Sequence, residues 1–78
     1  MKRTIQFHVW RSERFYVAQA ADVPIVTQGT TLDEVARNIK EAVDLYLEGE
    51  NLSALGFASY PQVLVSFELA TDSVHAPA

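Results

Sequence analysis

Cysteine is absent from this 78-residue chain. That excludes disulfide staples, thiolate nucleophiles and thiolate metal sites, and it fits a reducing, cytoplasmic setting. Glycine and proline number three each, and the scattered glycines form no phosphate-binding loop. Positive charge is scarce: six Lys and Arg stand against ten Asp and Glu, for a formal net charge of −4. Nucleic-acid affinity rests mainly on Lys and Arg meeting phosphates, so the chain by itself is not expected to bind DNA. An acidic surface suits a basic protein partner, or simply keeps a small protein soluble. No apolar run approaches the length that crosses a bilayer. The opening Met1-Lys2-Arg3-Thr4 leads into alternation rather than the continuous apolar stretch of a signal peptide. No membrane association is expected.

Apolar residues make up 49% of the chain, enough for a folded domain rather than a disordered segment. A domain this small buries only about 60% of the surface its unfolded chain exposes. Added burial through self-association would help it, so a homodimer or higher homo-oligomer is expected.

Period-two alternation marks strands. Ile5, Phe7 and Val9 alternate with Gln6, His8 and Trp10 in a first strand over Thr4–Trp10. The polar break Arg11–Arg14 has hairpin length, and a second strand follows over Phe15–Ala20. Ala21-Asp22-Val23-Pro24 turns the chain, because a residue before proline avoids the helical region. Ile25–Gln28 is a short third strand ended by Gly29. Thr31-Leu32-Asp33-Glu34 is a capping box: the Thr31 hydroxyl accepts from the amide three residues on, and Glu34 reaches back to the Thr31 amide. Leu32, Val35, Ala36, Ile39, Val43, Tyr46 and Leu47 then recur at helical spacing, placing an amphipathic helix over Leu32–Glu48 with Gly49 as its stop. Asn51–Gln62 carries Leu52, Leu55, Phe57 and Tyr60, which are expected to pack on the core around a short helical turn after Asn51. A last strand runs over Val63–Leu69, with Val63, Val65, Phe67 and Leu69 on one side. Residues 71–78 read as a flexible tail behind a domain spanning 1–70.

The expected fold is α+β, in the order βββαβ. A meander of three strands would be followed by a helical crossover that lays the fourth strand parallel to the first, on its free side. This gives a four-stranded mixed sheet of order 3-2-1-4 with the helix on one face. The other face would carry Gln6, His8, Trp10, Thr27, Leu64, Ser66 and Glu68. Trp10 and Leu64 are its candidate contact residues for a partner, Trp10 being the single tryptophan. The helix presents a charged face with Glu34, Glu41, Asp44 and Glu48. Asp33–Arg37 and Lys40–Asp44 are spaced to pair. Such a face is a solvated surface or an acidic patch that steers a basic partner.

The run Asp22-Val23-Pro24-Ile25-Val26-Thr27-Gln28-Gly29-Thr30-Thr31-Leu32-Asp33-Glu34-Val35, continued by Asn38-Ile39-Lys40-Glu41-Ala42-Val43-Asp44-Leu45-Tyr46-Leu47-Glu48, resembles the signature of HicB-family antitoxin domains. In that family a strand with Phe or Tyr and Val, here Phe15-Tyr16-Val17-Ala18, precedes an Asp-x-Pro turn. A short strand ending in Gly follows, then a Thr-Leu-(Asp/Glu)-Glu helix start and an Asn-Ile-(Lys/Arg)-Glu-Ala middle. The resemblance spans roughly residues 4–70. It implies a partial ribonuclease H-like fold and an antitoxin role: stoichiometric binding of a small basic HicA-type toxin, an mRNA-cleaving enzyme, by occlusion and without turnover. Two departures stand out. Ile25-Val26 follows the proline where many members have Gly-Cys or Gly-Val. Longer members also carry a C-terminal helix-turn-helix or ribbon-helix-helix, which has no counterpart in this sequence, so DNA binding by this chain alone is not expected.

A ribonuclease H-like fold invites a nuclease reading. Two-metal nucleases hold two cations about 3.5–4 Å apart between clustered carboxylates. Those acids would come from the first strand, the helix and the fourth strand, yet Thr4–Trp10 contains none, and Glu68 has no acidic companion on its strand. His8 and His75 lack the spacing of a zinc pair. No serine sits in a Gly-x-Ser-x-Gly context. No catalytic residue, metal site or cofactor is expected, and the chain reads as a non-enzyme. Two functional classes stand: an antitoxin with a toxin partner, or a solitary HicB-like protein- or ligand-binding domain without one.

Overall fold

The computed structural model describes residues 2–68. Their order is β1 (Lys2–Arg11), β2 (Tyr16–Ala20), β3 (Val26–Gly29), α1 (Leu32–Leu47) and β4 (Phe57–Phe67). The strands form one mixed sheet in the order β3-β2-β1-β4. β1 pairs antiparallel with β2 and parallel with β4, and β2 pairs antiparallel with β3. This is the expected α+β fold and strand order. The expected end of the last strand at Leu69, and residues 71–78, read as a flexible tail, lie outside the described residues.

Alternation sorts β1 into two faces. Ile5, Phe7 and Val9 are buried. Ala18 and Ala20 stand opposite Val9 and Phe7, while Val63 and Val65 stand opposite Ile5 and Phe7. The small alanines let α1 sit close over the β2–β3 side of the sheet, the strands it lies nearest. Ser12 closes the first hairpin without a glycine. Its N–H donates to the Phe15 carbonyl at 2.7 Å, and its Oγ accepts the Phe15 N–H at 3.3 Å.

The helix starts where the capping pattern places it, with one change of partner. The Glu34 N–H donates to Thr31 Oγ1 at 3.0 Å. The Glu34 carboxylate reaches one residue further back than a capping box requires. It accepts the Thr30 N–H at 2.7 Å and the Thr30 hydroxyl at 3.2 Å, rather than the Thr31 amide. The buried line of α1 steps by four through Val35, Ile39, Val43 and Leu47, with Ala42 and Tyr46 half-buried beside it. Leu32 and Ala36 are exposed, contrary to the sequence expectation. They lie on the adjacent line, about 100° round the helix, on its flank rather than toward the sheet.

Gly29 sets how closely helix and sheet meet. A Cβ there would lie 2.7 Å from the Val35 backbone nitrogen and 3.0 Å from its Cα. Asn38 fastens the same junction, donating from Nδ2 to the Gln28 carbonyl at 2.7 Å. After Gly49 leaves the helix at φ +72, the Asn51 side chain accepts the Ser53 N–H at 3.0 Å. The Leu55 N–H then donates to the Asn51 carbonyl at 3.1 Å, which closes the expected helical turn. Leu52 and Leu55 pack against the core, and Phe57 is 1% exposed within it.

β4 differs most from the sequence reading. It begins at Phe57 rather than Val63. Pro61 disguised the start, since proline lacks a ladder donor; edge strands tolerate it. The pairing also slips: Lys2 stands opposite Phe57, but Thr4 stands opposite Gln62. Extra residues of β4 bulge out across this slip. Tyr60 lies within it and is 79% exposed, not packed on the core.

Two substitutions test this packing by urea unfolding. Gly29→Ala should lose about 1–3 kcal/mol, because the added methyl meets helix backbone rather than a yielding side chain. Phe57→Ala should lose about 3–5 kcal/mol, a large share of the stability of any small domain.

Candidate functional site

The sheet face away from the helix is built by all four strands, with β1 and β4 at its candidate residues. Gln6, His8 and Trp10 project there from β1, with Leu64 and Ser66 opposite Gln6 and His8. Thr27 does not join them. It stands opposite the buried Ala18, so the register turns it toward the helix side and places Val26 and Gln28 on the outer face.

A polar ladder runs through the middle of this face. The Gln6 amide donates to Ser66 Oγ at 3.4 Å, and Ser66 Oγ donates to the Phe7 carbonyl at 3.3 Å. His8 Nε2 lies 3.2 Å from Glu68 Oε2. The His8 ring stacks on Trp10, with centroids 5.8 Å apart and planes at 27°. Trp10 is thereby held half-buried. Leu64, 52% exposed, pairs with Gln6, four residues along β1 from Trp10. That is roughly 13 Å at the rise of a strand. The two candidate contact residues on this face are therefore separated by polar groups, and no continuous apolar patch joins them.

The acidic candidates divide in the same way. Glu34 is committed to Thr30 at the helix start. Glu41, Asp44 and Glu48 are exposed along α1. Asp33–Arg37 and Lys40–Asp44, spaced to pair, form no salt bridge among the described residues. Exposed pairs gain little against the entropy of two long side chains, so this costs the fold little.

The structure gathers Asp44 and Glu48 with two residues the sequence reading missed. Asp44, Leu47, Glu48, Gly49, Glu50 and Tyr60 line an open groove of about 440 Å³. Helix end, connecting turn and the bulged start of β4 meet here. The last turn of α1 carries no basic residue, although the C-terminal end of a helix is its negative pole. Three carboxylates thus add to a negative helix end, beside an exposed aromatic ring. Leu47 supplies an apolar floor. Carboxylates, helix carbonyls and a tyrosine face together favour a guanidinium or ammonium group. Glu50 and Tyr60 could not be found by spacing, because only the turn after Gly49 and the slip in β4 bring them to the helix end. Among the described residues, no group of three His, Asp or Glu is placed to hold a metal ion.

No protein-family model matches this chain, and no curated protein or solved structure is significantly similar to it. The fold defines a small α+β domain of βββαβ order. No helix among the described residues is long and apolar enough to cross a membrane.

Carboxylates at the negative end of a helix act against stability. Asp44→Asn and Glu48→Gln should each raise the stability of the free chain by about 0.3 kcal/mol at low salt, the lower end expected of exposed charges there. The gain should shrink as salt screens it. Urea midpoints at two ionic strengths measure both. A loss of stability in either variant would show that these carboxylates are held by the fold itself.

Proposed function

We propose that this chain is a HicB-type antitoxin, a non-catalytic domain that binds and blocks a small basic HicA-type mRNA-cleaving toxin by occlusion. The observation that carries this reading is the groove at the end of α1. Among the described residues its lining carries three carboxylates and no basic side chain, beside the Tyr60 ring. A toxin surface that holds RNA phosphates must itself be basic. The acidic groove therefore competes for the same arginines and lysines the toxin uses for RNA. The βββαβ order is also that implied by the family resemblance of residues 4–70. Asp44, Glu48, Glu50 and Tyr60 are the contact residues in this reading, with Glu41 one turn away on the same helix. Trp10 and Leu64 take a lesser part, because the polar ladder divides their face. The chain needs no cofactor and does not bind DNA alone.

Mixing the chain with its cognate basic toxin tests the proposal. RNA cleavage should stop at a fixed molar ratio and not resume with time. Asp44→Lys and Glu48→Lys should slow association about tenfold at low ionic strength, with a smaller effect at high salt. Glu13→Lys makes the same charge change in the hairpin, at the opposite end of the sheet, and should leave the rate near wild type. Equal slowing by all three would show that net charge, not the groove, steers the encounter. If no small basic protein is encoded beside this chain or binds it, the chain is instead a solitary HicB-like binding domain.

A further inference from the structure

The long edge of the sheet is open. Among the described residues β4 pairs with β1 alone. The Glu68 N–H donates to the Val9 carbonyl at 2.8 Å, one residue beyond the pair Val9↔Phe67. Along a strand in a parallel ladder, successive residues turn their N–H and C=O to alternate sides. Leu64, Ser66 and Glu68 therefore turn their backbone groups to β1. Val63, Val65 and Phe67 turn theirs outward. Pro61 lies in the slip between the pairs Lys2↔Phe57 and Thr4↔Gln62, and it has no N–H to give to a strand on either side. The same proline ends the ladder for any strand added from outside.

We propose that β4 pairs antiparallel with β4 of a second copy, about a two-fold axis at Val65, joining two four-stranded sheets into one. The outward residues are symmetric about that axis. Val65 exchanges hydrogen bonds with its own copy, and Val63 exchanges them with Phe67, so each outward N–H and C=O of the three residues finds a partner. A foreign strand would need a matching length and pattern; a second copy has both by construction.

Side chains and charge agree with this register. Val63, Val65 and Phe67 lie on the helix side, where α1 sits toward β2 and β3 and leaves Phe67 48% exposed. Pairing lays Val65 against Val65 and Val63 against Phe67 there, and Leu64 against Ser66 on the outer face. Phe57–Phe67 contains no charged residue. Glu68 would fall opposite Gln62, so the copies meet without like charges. Edge strands that must remain single are blunted by lysines, inward-pointing charges, proline or bulges; here the proline and the bulge lie at the start of β4, and Val63–Phe67 carries none of these. The groove at Tyr60 lies on the far side of Pro61, outside the paired stretch. The dimer therefore does not rest on the antitoxin reading, and either can fail alone.

Sedimentation of the full chain from micromolar to millimolar concentration should show twice the 8.7 kDa monomer mass. Val63→Pro removes an outward N–H and no hydrogen bond to β1, at some loss of side-chain packing, and should yield a folded monomer with an unchanged circular dichroism spectrum. A cysteine crosslink decides the register even if that variant misfolds. The native chain has no cysteine, so Val65→Cys places a single thiol on the proposed axis. Its two copies would have Cα atoms about 5.5 Å apart, inside the range a disulfide spans. Val65→Cys should form covalent dimers under mild oxidation at least about tenfold faster than Val26→Cys, whose thiol sits on the opposite edge strand and crosslinks only by collision. A wild-type monomer at every concentration would overturn the proposal. So would a dimer in which Val26→Cys crosslinks as fast as Val65→Cys.

Discussion

Gly29 lets the end of β3 come into backbone contact with the first turn of α1, and most of the molecule is arranged around that contact. Any side chain at this position would press on the Val35 backbone. Asn38 and Glu34 tie the same corner from the helix, to Gln28 and to Thr30. The helix is thereby anchored over β3 and β2. Its buried line of Val35, Ile39, Val43 and Leu47 covers that side of the sheet. A 16-residue helix fixed over one edge leaves the other edge incompletely covered, and the half-open Val63, Val65 and Phe67 of β4 follow from this placement.

β4 carries the consequences. Phe57 anchors its start in the core, while the slip against β1 turns Tyr60 out to the end of α1. Pro61 sits between these two roles. It lies on an edge, where a missing donor is tolerated, and it separates the bulged half of the strand from the regular half. The bulged half contributes to the acidic groove. The regular half presents an uncharged backbone edge.

Electrostatics set a tension in the same corner. Asp33 and Glu34 stand at the positive end of α1, where acids support a helix. Asp44 and Glu48 stand toward the negative end, where they do not. Among the described residues that line the groove none is basic, so these two carboxylates do not serve the stability of the helix. The polar ladder on the sheet face is the contrasting case. Gln6, Ser66, His8 and Glu68 satisfy one another, and Trp10 rests on His8.

The features legible along the chain were those set by interactions between near neighbours. Alternation in β1 placed Ile5, Phe7 and Val9 inward, Thr31 marked the helix start, and Asn51 marked the later turn. These depend on spacings of two to four residues, which can be read along the chain. Strand order was also legible, because short connections leave few ways to join three strands, a helix and a strand. The tertiary structure decided what depends on pairing between distant residues. The register of β2 with β3 turned Thr27 inward and Val26 outward. The slip between β1 and β4 moved the strand start to Phe57 and exposed Tyr60. Of the acidic residues on the helix, only Asp44 and Glu48 were brought together with Glu50 and Tyr60. A one-residue difference in register reverses which face a side chain takes, and no local pattern encodes which of two registers a distant strand will choose.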